Sequence, residues 1–230
     1  MAWLPGKLSL KFILMKILAL LPLFAILLLS CNSEASPAQD TALKTEAPKD
    51  LSGLQKAYFA SGCFWCVEAI FESVNGVEEA ISGYAGGNTD DPTYESIGTG
   101  RTGHAESVEL YYDPAIVSFS MLVDVFYGSQ NPTTTGQAPD FGSQYRSIIF
   151  YQNEEEQAIA EQKKAEVNAS GEYEEDVITE ILPLKKFYNA EDYHQDYERN
   201  NPNNPYVRNV SVPRLNSFKA SFPQLLKEGH

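Results

Sequence analysis

Cys63 and Cys66 form a single C-x-x-C in a chain of 230 residues whose other cysteine, Cys31, lies well upstream. A thiolate is a strong nucleophile, and two thiols at this spacing can share a disulfide. Cys63 follows Ser61-Gly62 at the predicted start of a helix, where unpaired N–H groups and the positive end of the helix dipole stabilise a thiolate. Cys66 lies one turn on, on nearly the same face, so a modest distortion of that turn brings the two sulfurs within bonding reach. The spacing suits a nucleophile and its resolving partner. Two other uses stay open on the motif alone. One is a permanent disulfide, which gains little from so short a loop. The other is zinc, for which His104 and His194 would have to join the pair at a spacing that fits no standard site.

The elements that must hold these thiols follow from hydrophobic periodicity. Residues 55–60 read as a strand and 64–74 as a helix with Val67, Ile70, Phe71 and Val74 on one face; 77–84 is a second strand. After a Gly-rich loop, 105–112 alternates Val108, Leu110 and Tyr112 against Ser107, Glu109 and Tyr111, a half-buried strand ended by Asp113-Pro114. Ser118 caps a helix that Asn131-Pro132 stops, and 145–151 is the next strand. Asn153 with Glu156 caps a long helix ending near Ser170-Gly171; 177–182 is a strand and 189–199 a short helix, and beyond Val212 the chain is expected to wrap the surface. Strand, helix, strand, strand, helix, strand over 55–151 is the split βαβ plan. The predicted fold is therefore a two-layer α/β (α+β) sandwich with a mixed sheet and a ferredoxin-like core.

Hydrophobic residues make up 43% of the chain, enough for one packed domain, and the formal net charge of -14 argues against general nucleic-acid binding, which depends on phosphate neutralisation. Residues 1–30 run from a lysine-bearing start into an apolar stretch, as a signal peptide does, with Met15 as an alternative start. Leu28-Leu29-Ser30-Cys31 resembles a bacterial lipobox, which implies a lipid-modified Cys31 at the mature N-terminus; an uncleaved membrane helix is the competing use of the same stretch. Residues 31–50 are Ser, Ala, Pro, Thr and charged residues without periodicity, a flexible tether, leaving 51–230 as the catalytic domain. The expected location is the cell envelope, on a membrane outside the cytoplasm.

Gly62-Cys63-Phe64-Trp65-Cys66-Val67-Glu68 resembles the active-site signature of A-type peptide methionine sulfoxide reductases. Further blocks follow in the family's order: Gly83-Tyr84-Ala85-Gly86-Gly87, Pro92-Thr93-Tyr94, Gly103-His104-Ala105-Glu106, Gly142-Ser143-Gln144-Tyr145-Arg146-Ser147 and Ala190-Glu191-Asp192-Tyr193-His194-Gln195. The resemblance implies that Cys63 attacks the sulfoxide sulfur and becomes a sulfenic acid, that Phe64 and Trp65 hold the substrate methyl group, and that Glu106, Tyr94 and Tyr145 grip and protonate the oxygen. It puts Asp140 at a further polar position, and it implies specificity for the S configuration at sulfur, with no cofactor and no metal. Chemistry supports an acid here independently: a sulfoxide oxygen leaves poorly until protonated, and a buried neutral carboxyl can supply the proton. His194 lies in a shared block but stays outside the expected catalytic set.

Many relatives carry Gly where this chain has Cys66, with recycling cysteines in a C-terminal tail, whereas residues 67–230 here contain none. Either Cys66 resolves the Cys63 sulfenic acid as a disulfide or an outside thiol attacks Cys63 directly; the first is favoured, because sulfenic acids condense readily with a nearby thiol. A thioredoxin-like protein would then reduce the disulfide. A general C-x-x-C disulfide oxidoreductase of the envelope is the alternative activity.

Overall fold

The computed structural model describes residues 49–229. The leader, Cys31 and nearly all of the tether lie outside these residues. Among the described residues no helix is long and apolar enough to cross a membrane.

Six strands form one sheet, and its centre is laid down by β1 (Gln55–Ser61), β2 (Val77–Ala85), β3 (Ala105–Tyr112) and β6 (Ser147–Tyr151) in the spatial order β6-β1-β3-β2. All three of these pairings are antiparallel. The crossovers are α1 (Phe64–Glu72) between β1 and β2 and α3 (Phe119–Gly128) between β3 and β6, so the order is that of two interleaved split βαβ units. At the edges, β7 (Glu180–Pro183) adds parallel to β6 and β8 (Phe187–Asn189) adds antiparallel to β2, making the sheet mixed. Between these lie α2 (Tyr94–Gly98), a small hairpin of β4 (Gly136–Gln137) and β5 (Asp140–Phe141), and α4 (Glu154–Ala169); α5 (Tyr197–Asn200) and α6 (Val212–Ser221) follow.

Alternation along β1 divides the core. Ala57 and Phe59 pack with Ile70, Phe71, Leu122 and Phe126 under the helices, whereas Tyr58 and Ala60 join Ile148 and Phe150 beneath Leu182, Leu184 and Phe187 on the other face. The second layer of cover corrects the expectation of a half-buried β3. Ser107 and Glu109 are buried too, Glu109 accepting hydrogen bonds from the Tyr58 hydroxyl (2.6 Å) and the Lys56 ammonium (3.0 Å). A strand that alternates apolar and polar is buried on both faces when its polar members find such partners.

Other departures have local causes. The strand expected at 145–151 starts at Ser147 because Ser143–Tyr145 turns as a 3-10 helix. Residues 177–179 are not in β7: the Val177 N–H is taken by the Asn168 side chain and that of Ile178 by the Pro132 carbonyl. The expected helix at 189–199 is two pieces, Asp192–His194 and α5, broken by Asp196 at φ +54°, whose N–H donates to the Glu68 carboxylate. Beyond residue 206 the chain forms a π-helical turn, Val207–Ser211, that runs into α6 with Pro213 in its first turn; α6 ends at Ser221, and Pro223 opens a short 3-10 turn, Pro223–Leu225.

Candidate active site

β1 ends at Ser61, Gly62 turns at φ +88°, and Cys63 caps α1 with extended backbone (ψ 123°), its carbonyl accepting from the N–H groups of Cys66 (3.2 Å) and Val67 (3.3 Å). An added Cβ on Gly62 would lie 3.1 Å from Gln137 Cγ and 3.4 Å from Arg214 Nη1, so the turn is clasped by the β4/β5 hairpin and by α6. Both cysteines are unbonded and buried, Cys63 at 7% and Cys66 at 1% exposure.

Opposite this turn β3 contributes Glu106, 1% exposed, which accepts a hydrogen bond from the Phe64 N–H (3.0 Å). Burial pushes its carboxyl up to about 8 against the pull of that N–H, with Asp140 and Cys66 adding to the rise. At neutral pH the group holds its proton and can give it away. Tyr94, at the start of α2, is set by the Thr93 capping box and by its N–H bond to the Glu191 carboxylate (3.0 Å). Burial, followed by the Glu106 and Cys63 charges, pushes its phenol up to about 12. Tyr145, closing its 3-10 turn, is raised further by burial and by Glu106, Tyr94, Asp140 and Cys63. Both phenols therefore stay protonated donors. Asp140, on β5, accepts from the hydroxyl of Tyr206, which also lies 3.8 Å from Cys66 Sγ.

Aromatic rings frame the turn. Phe64 is buried, stacked on Tyr94 (6.2 Å, 16°) and tilted on Tyr84 and His194. Trp65 is half-buried, lies flat on Tyr197 (3.7 Å, 8°) and meets Tyr206 edge-on (5.7 Å, 78°). Its indole N–H donates to His194 Nδ1 (3.1 Å), and burial lowers His194 so that it stays neutral. His194 thus orients Trp65. His104 uses both ring nitrogens on backbone, accepting from the Gly87 N–H and bonding the Thr89 carbonyl. The zinc set considered from sequence is not assembled: among the described residues the one group of three metal-capable side chains is Glu68, Glu72 and Asp196. Two cavities of about 550 and 500 Å³, lined by residues of α3 and α4, lie elsewhere.

The eight residues expected from sequence therefore gather around one turn. Tyr206, Arg214 and Gln137 join them unforeseen; Tyr206 is hidden among 13 tyrosines, and only the Asn204-Pro205 helix start ahead of it offered a signal. One expectation needs correction. Burial and the neighbouring sulfur push the Cys63 thiol well up, while Cys66, accepting from the Cys63 thiol, is drawn down to about 6. The two thiols titrate as a coupled pair in which burial, the second sulfur and the Glu106 carboxyl disfavour charge on Cys63.

The sequence model of the family described as peptide methionine sulfoxide reductase matches residues 55–226. The chain belongs to that family. The peptide methionine sulfoxide reductase MsrA of Pasteurella multocida is 45% identical over 174 residues, covering 75% of this chain and 99% of that protein. MsrA of Natronomonas pharaonis is 43% identical over 169 residues, 73% of this chain and 95% of its own. Among solved structures, methionine sulfoxide reductase A of Corynebacterium diphtheriae aligns with TM-score 0.59 at 37% identity over 66% of this chain and 76% of the other. Mxr1 of Saccharomyces cerevisiae in reduced form gives 0.61 at 31%, over 66% and 87%. The chain is thus an A-type methionine sulfoxide reductase, an oxidoreductase, with the mixed α/β fold of those relatives.

The β4/β5 hairpin that carries Asp140 depends on Gly136, whose φ is +125° and whose added Cβ would lie 2.2 Å from the Asp140 carbonyl oxygen. Gly136→Ala is expected to destabilise the protein by at least about 2 kcal/mol and to lower kcat by moving Asp140 and Gln137. Thermal unfolding and steady-state assays check this; an unchanged Tm would contradict it.

Proposed function

We propose that this methionine sulfoxide reductase acts on the S-configured sulfoxide of methionine, free or in proteins, with Cys63 as nucleophile and Glu106 as proton donor. What carries the reading is the buried Glu106 carboxyl, protonated near neutrality, held through the Phe64 N–H beside Cys63. Cys63 passes its proton to the Cys66 sulfur and attacks the sulfoxide sulfur while Glu106 protonates the oxygen, assisted by the Tyr94 and Tyr145 hydroxyls. A bond forms between the Cys63 and substrate sulfurs as the S–O bond breaks; the once-protonated oxygen leaves as hydroxide, which attacks the Cys63 sulfur and displaces methionine from it, so the substrate sulfur is reduced and Cys63, now a sulfenic acid, is oxidised by two electrons. Trp65, aligned by His194, and Phe64 form the apolar wall for the methyl group. Cys66 then gives the proton it took to the Glu106 carboxylate and attacks Cys63; the S–S bond forms, the S–OH bond breaks, and hydroxide leaves as water with that proton from Glu106.

A dithiol protein of thioredoxin type regenerates the pair. The apolar leader of residues 1–30 and the Leu28-Leu29-Ser30-Cys31 sequence support a lipid-anchored enzyme that repairs oxidised envelope proteins. Mass spectrometry of the membrane-extracted N-terminus tests the anchor: an acylated Cys31 supports it and an intact leader overturns it.

The deciding experiment is a single turnover of the reduced protein with each diastereomer of a methionine sulfoxide peptide, followed by intact mass and a thiol count. Loss of the S form with a matching Cys63–Cys66 disulfide is expected. If neither form is lost while disulfide substrates are exchanged, general disulfide oxidoreduction replaces the proposal. Cys66→Ser is expected still to release one equivalent of methionine, to leave a sulfenic acid that dimedone traps, and to turn over slowly with a dithiol protein; turnover as fast as the parent would remove Cys66 from the cycle.

A further inference from the structure

Glu191 precedes the 3-10 turn Asp192–His194, and its carboxylate meets three separate parts of the site. Oε1 accepts the Tyr94 N–H at the start of α2 (3.0 Å), and Oε2 accepts the hydroxyl of Tyr84 from β2 (2.7 Å). His194 Nε2 lies 3.8 Å from the same Oε2, and the His194 backbone N–H donates to the Glu191 carbonyl (2.9 Å). On the other side of the imidazole, Nδ1 accepts the Trp65 indole N–H (3.1 Å). An indole nitrogen only donates, so the neutral imidazole must leave Nδ1 bare and carry its proton on Nε2. That Nε2–H belongs to a residue 1% exposed, and no hydrogen bond among the described residues reaches it. The Glu191 carboxylate is the charged group it faces.

We propose that Glu191 is a positioning residue that sets two walls of the sulfoxide pocket at once: its carboxylate holds Tyr94 directly and, by fixing the His194 proton on Nε2, holds Trp65 through His194. The inference rests on the reading of Tyr94 as a donor to the sulfoxide oxygen and of Trp65 as the wall for the methyl group.

A histidine in water exchanges readily between its two tautomers, and the one with the proton on Nδ1 would set donor against donor at the Trp65 indole. Trp65 has no other side-chain hydrogen-bonding group. It would keep only its ring contacts, the flat stack on Tyr197 and the edge of Tyr206, which direct it less sharply than a hydrogen bond does. A carboxylate beside Nε2 settles the choice, because it favours an N–H there and opposes a bare lone pair. The anchor of that carboxylate is rigid: Tyr84 is fully buried on the central sheet, and its ring packs on Phe64 (5.9 Å). Against burial, the Tyr84 hydroxyl and the Tyr94 N–H hold Glu191 below the ordinary carboxylate range, so it stays charged. The His194 ring also packs on the rings of Phe64 (4.9 Å) and Tyr94 (4.5 Å), so a shift of the imidazole is felt on the oxygen side of the pocket as well as on the methyl side.

The test uses full-length wild type, Glu191→Gln and Glu191→Asp. The proton on His194 is located from its ring-nitrogen NMR shifts, the Trp65 hydrogen bond is followed by exchange of the indole proton with solvent, and function is read as KM and single-turnover rate with a methionine sulfoxide peptide. In wild type a bare Nδ1 and a protonated Nε2 are expected. Glutamine can turn an amide N–H toward Nε2 and so favour the other tautomer. Glu191→Gln is therefore expected to move the proton to Nδ1, to speed indole exchange at least about tenfold and to lower kcat/KM by about 10- to 10²-fold. Glu191→Asp, which keeps the charge, is expected to keep the wild-type tautomer and most of the activity. An unmoved His194 proton and unmoved indole exchange in Glu191→Gln overturn the proposal even if activity falls, since a packing role lowers activity without moving either. Should Glu191→Gln not fold, wild type alone decides: a proton on Nδ1 at neutral pH, alone or with one on Nε2, overturns it. A moved proton with unchanged sulfoxide reduction would confirm the tautomer lock and instead remove Trp65 and Tyr94 from the substrate pocket.

Discussion

Cys63→Ser is expected to abolish sulfoxide reduction, with a loss of at least about 10⁴-fold in kcat/KM. A hydroxyl at this position is a far weaker nucleophile at neutral pH, and its oxygen cannot take a second oxygen and pass it on as a sulfenic acid does. The fold should tolerate the exchange. The side chain is small, sits at the cap of α1 with its backbone carbonyl holding the Cys66 and Val67 N–H groups, and serine is a favoured cap residue. The check is paired: unfolding within about 1 kcal/mol of the parent, so that lost activity reports chemistry, and no methionine released in a single turnover. Residual release at more than a trace would move the nucleophile to Cys66.

Glu106→Gln carries the second large effect, because it changes activity and stability in opposite directions. The amide can still accept from the Phe64 N–H, so the site keeps its shape, but it has no proton to give. The reduction step is expected to fall by about 10²–10³-fold. In the parent enzyme the rate should decline above about pH 8 as Glu106 ionises, and the variant should lose that alkaline limb. Stability runs the other way. The folded carboxyl titrates at about 8, above the ordinary carboxylate range, so the native state binds the extra proton over roughly pH 4.5 to 8 and loses stability as pH rises through that window. Glutamine removes the dependence. The variant should match the parent near pH 4 and exceed it by on the order of 4 kcal/mol near pH 8. Glu68 and Glu72, pushed by burial to about 8 and 7, give the remaining protein the same downward slope. Denaturant curves at the two pH values and a pH profile of single turnovers check this; a variant no more stable at pH 8 would contradict a neutral, buried Glu106.

The sequence made the centre of this molecule legible because the centre is periodic. β3 has the predicted bounds, α1 and β2 fall within two residues of theirs, and the split βαβ order follows directly. Elements too short for periodicity were invisible: α2 has five residues and each strand of the β4/β5 hairpin two. α6 was hidden by weak amphipathicity and by Pro213. For the site, residue identity carried what chemistry demands, a thiol pair, a carboxyl and phenols. It could not carry Tyr206 or Arg214, which reach the cysteine turn from more than 130 positions away by way of the C-terminal segment's path. Nor could it say which sulfur holds the charge, since that depends on burial and on partners brought by folding.

The unequal burial of the two cysteines gives the oxidised enzyme a direction. Any thiol that reopens a Cys63–Cys66 disulfide meets Cys63, the less buried sulfur, and must expel Cys66 as the leaving group. A thiol drawn down to about 6 departs readily, so the surroundings that make Cys66 a ready attacker in one half of the cycle make it a ready leaver in the other. The disulfide should therefore be a labile, oxidising one, and the mixed disulfide formed during recycling should run through Cys63.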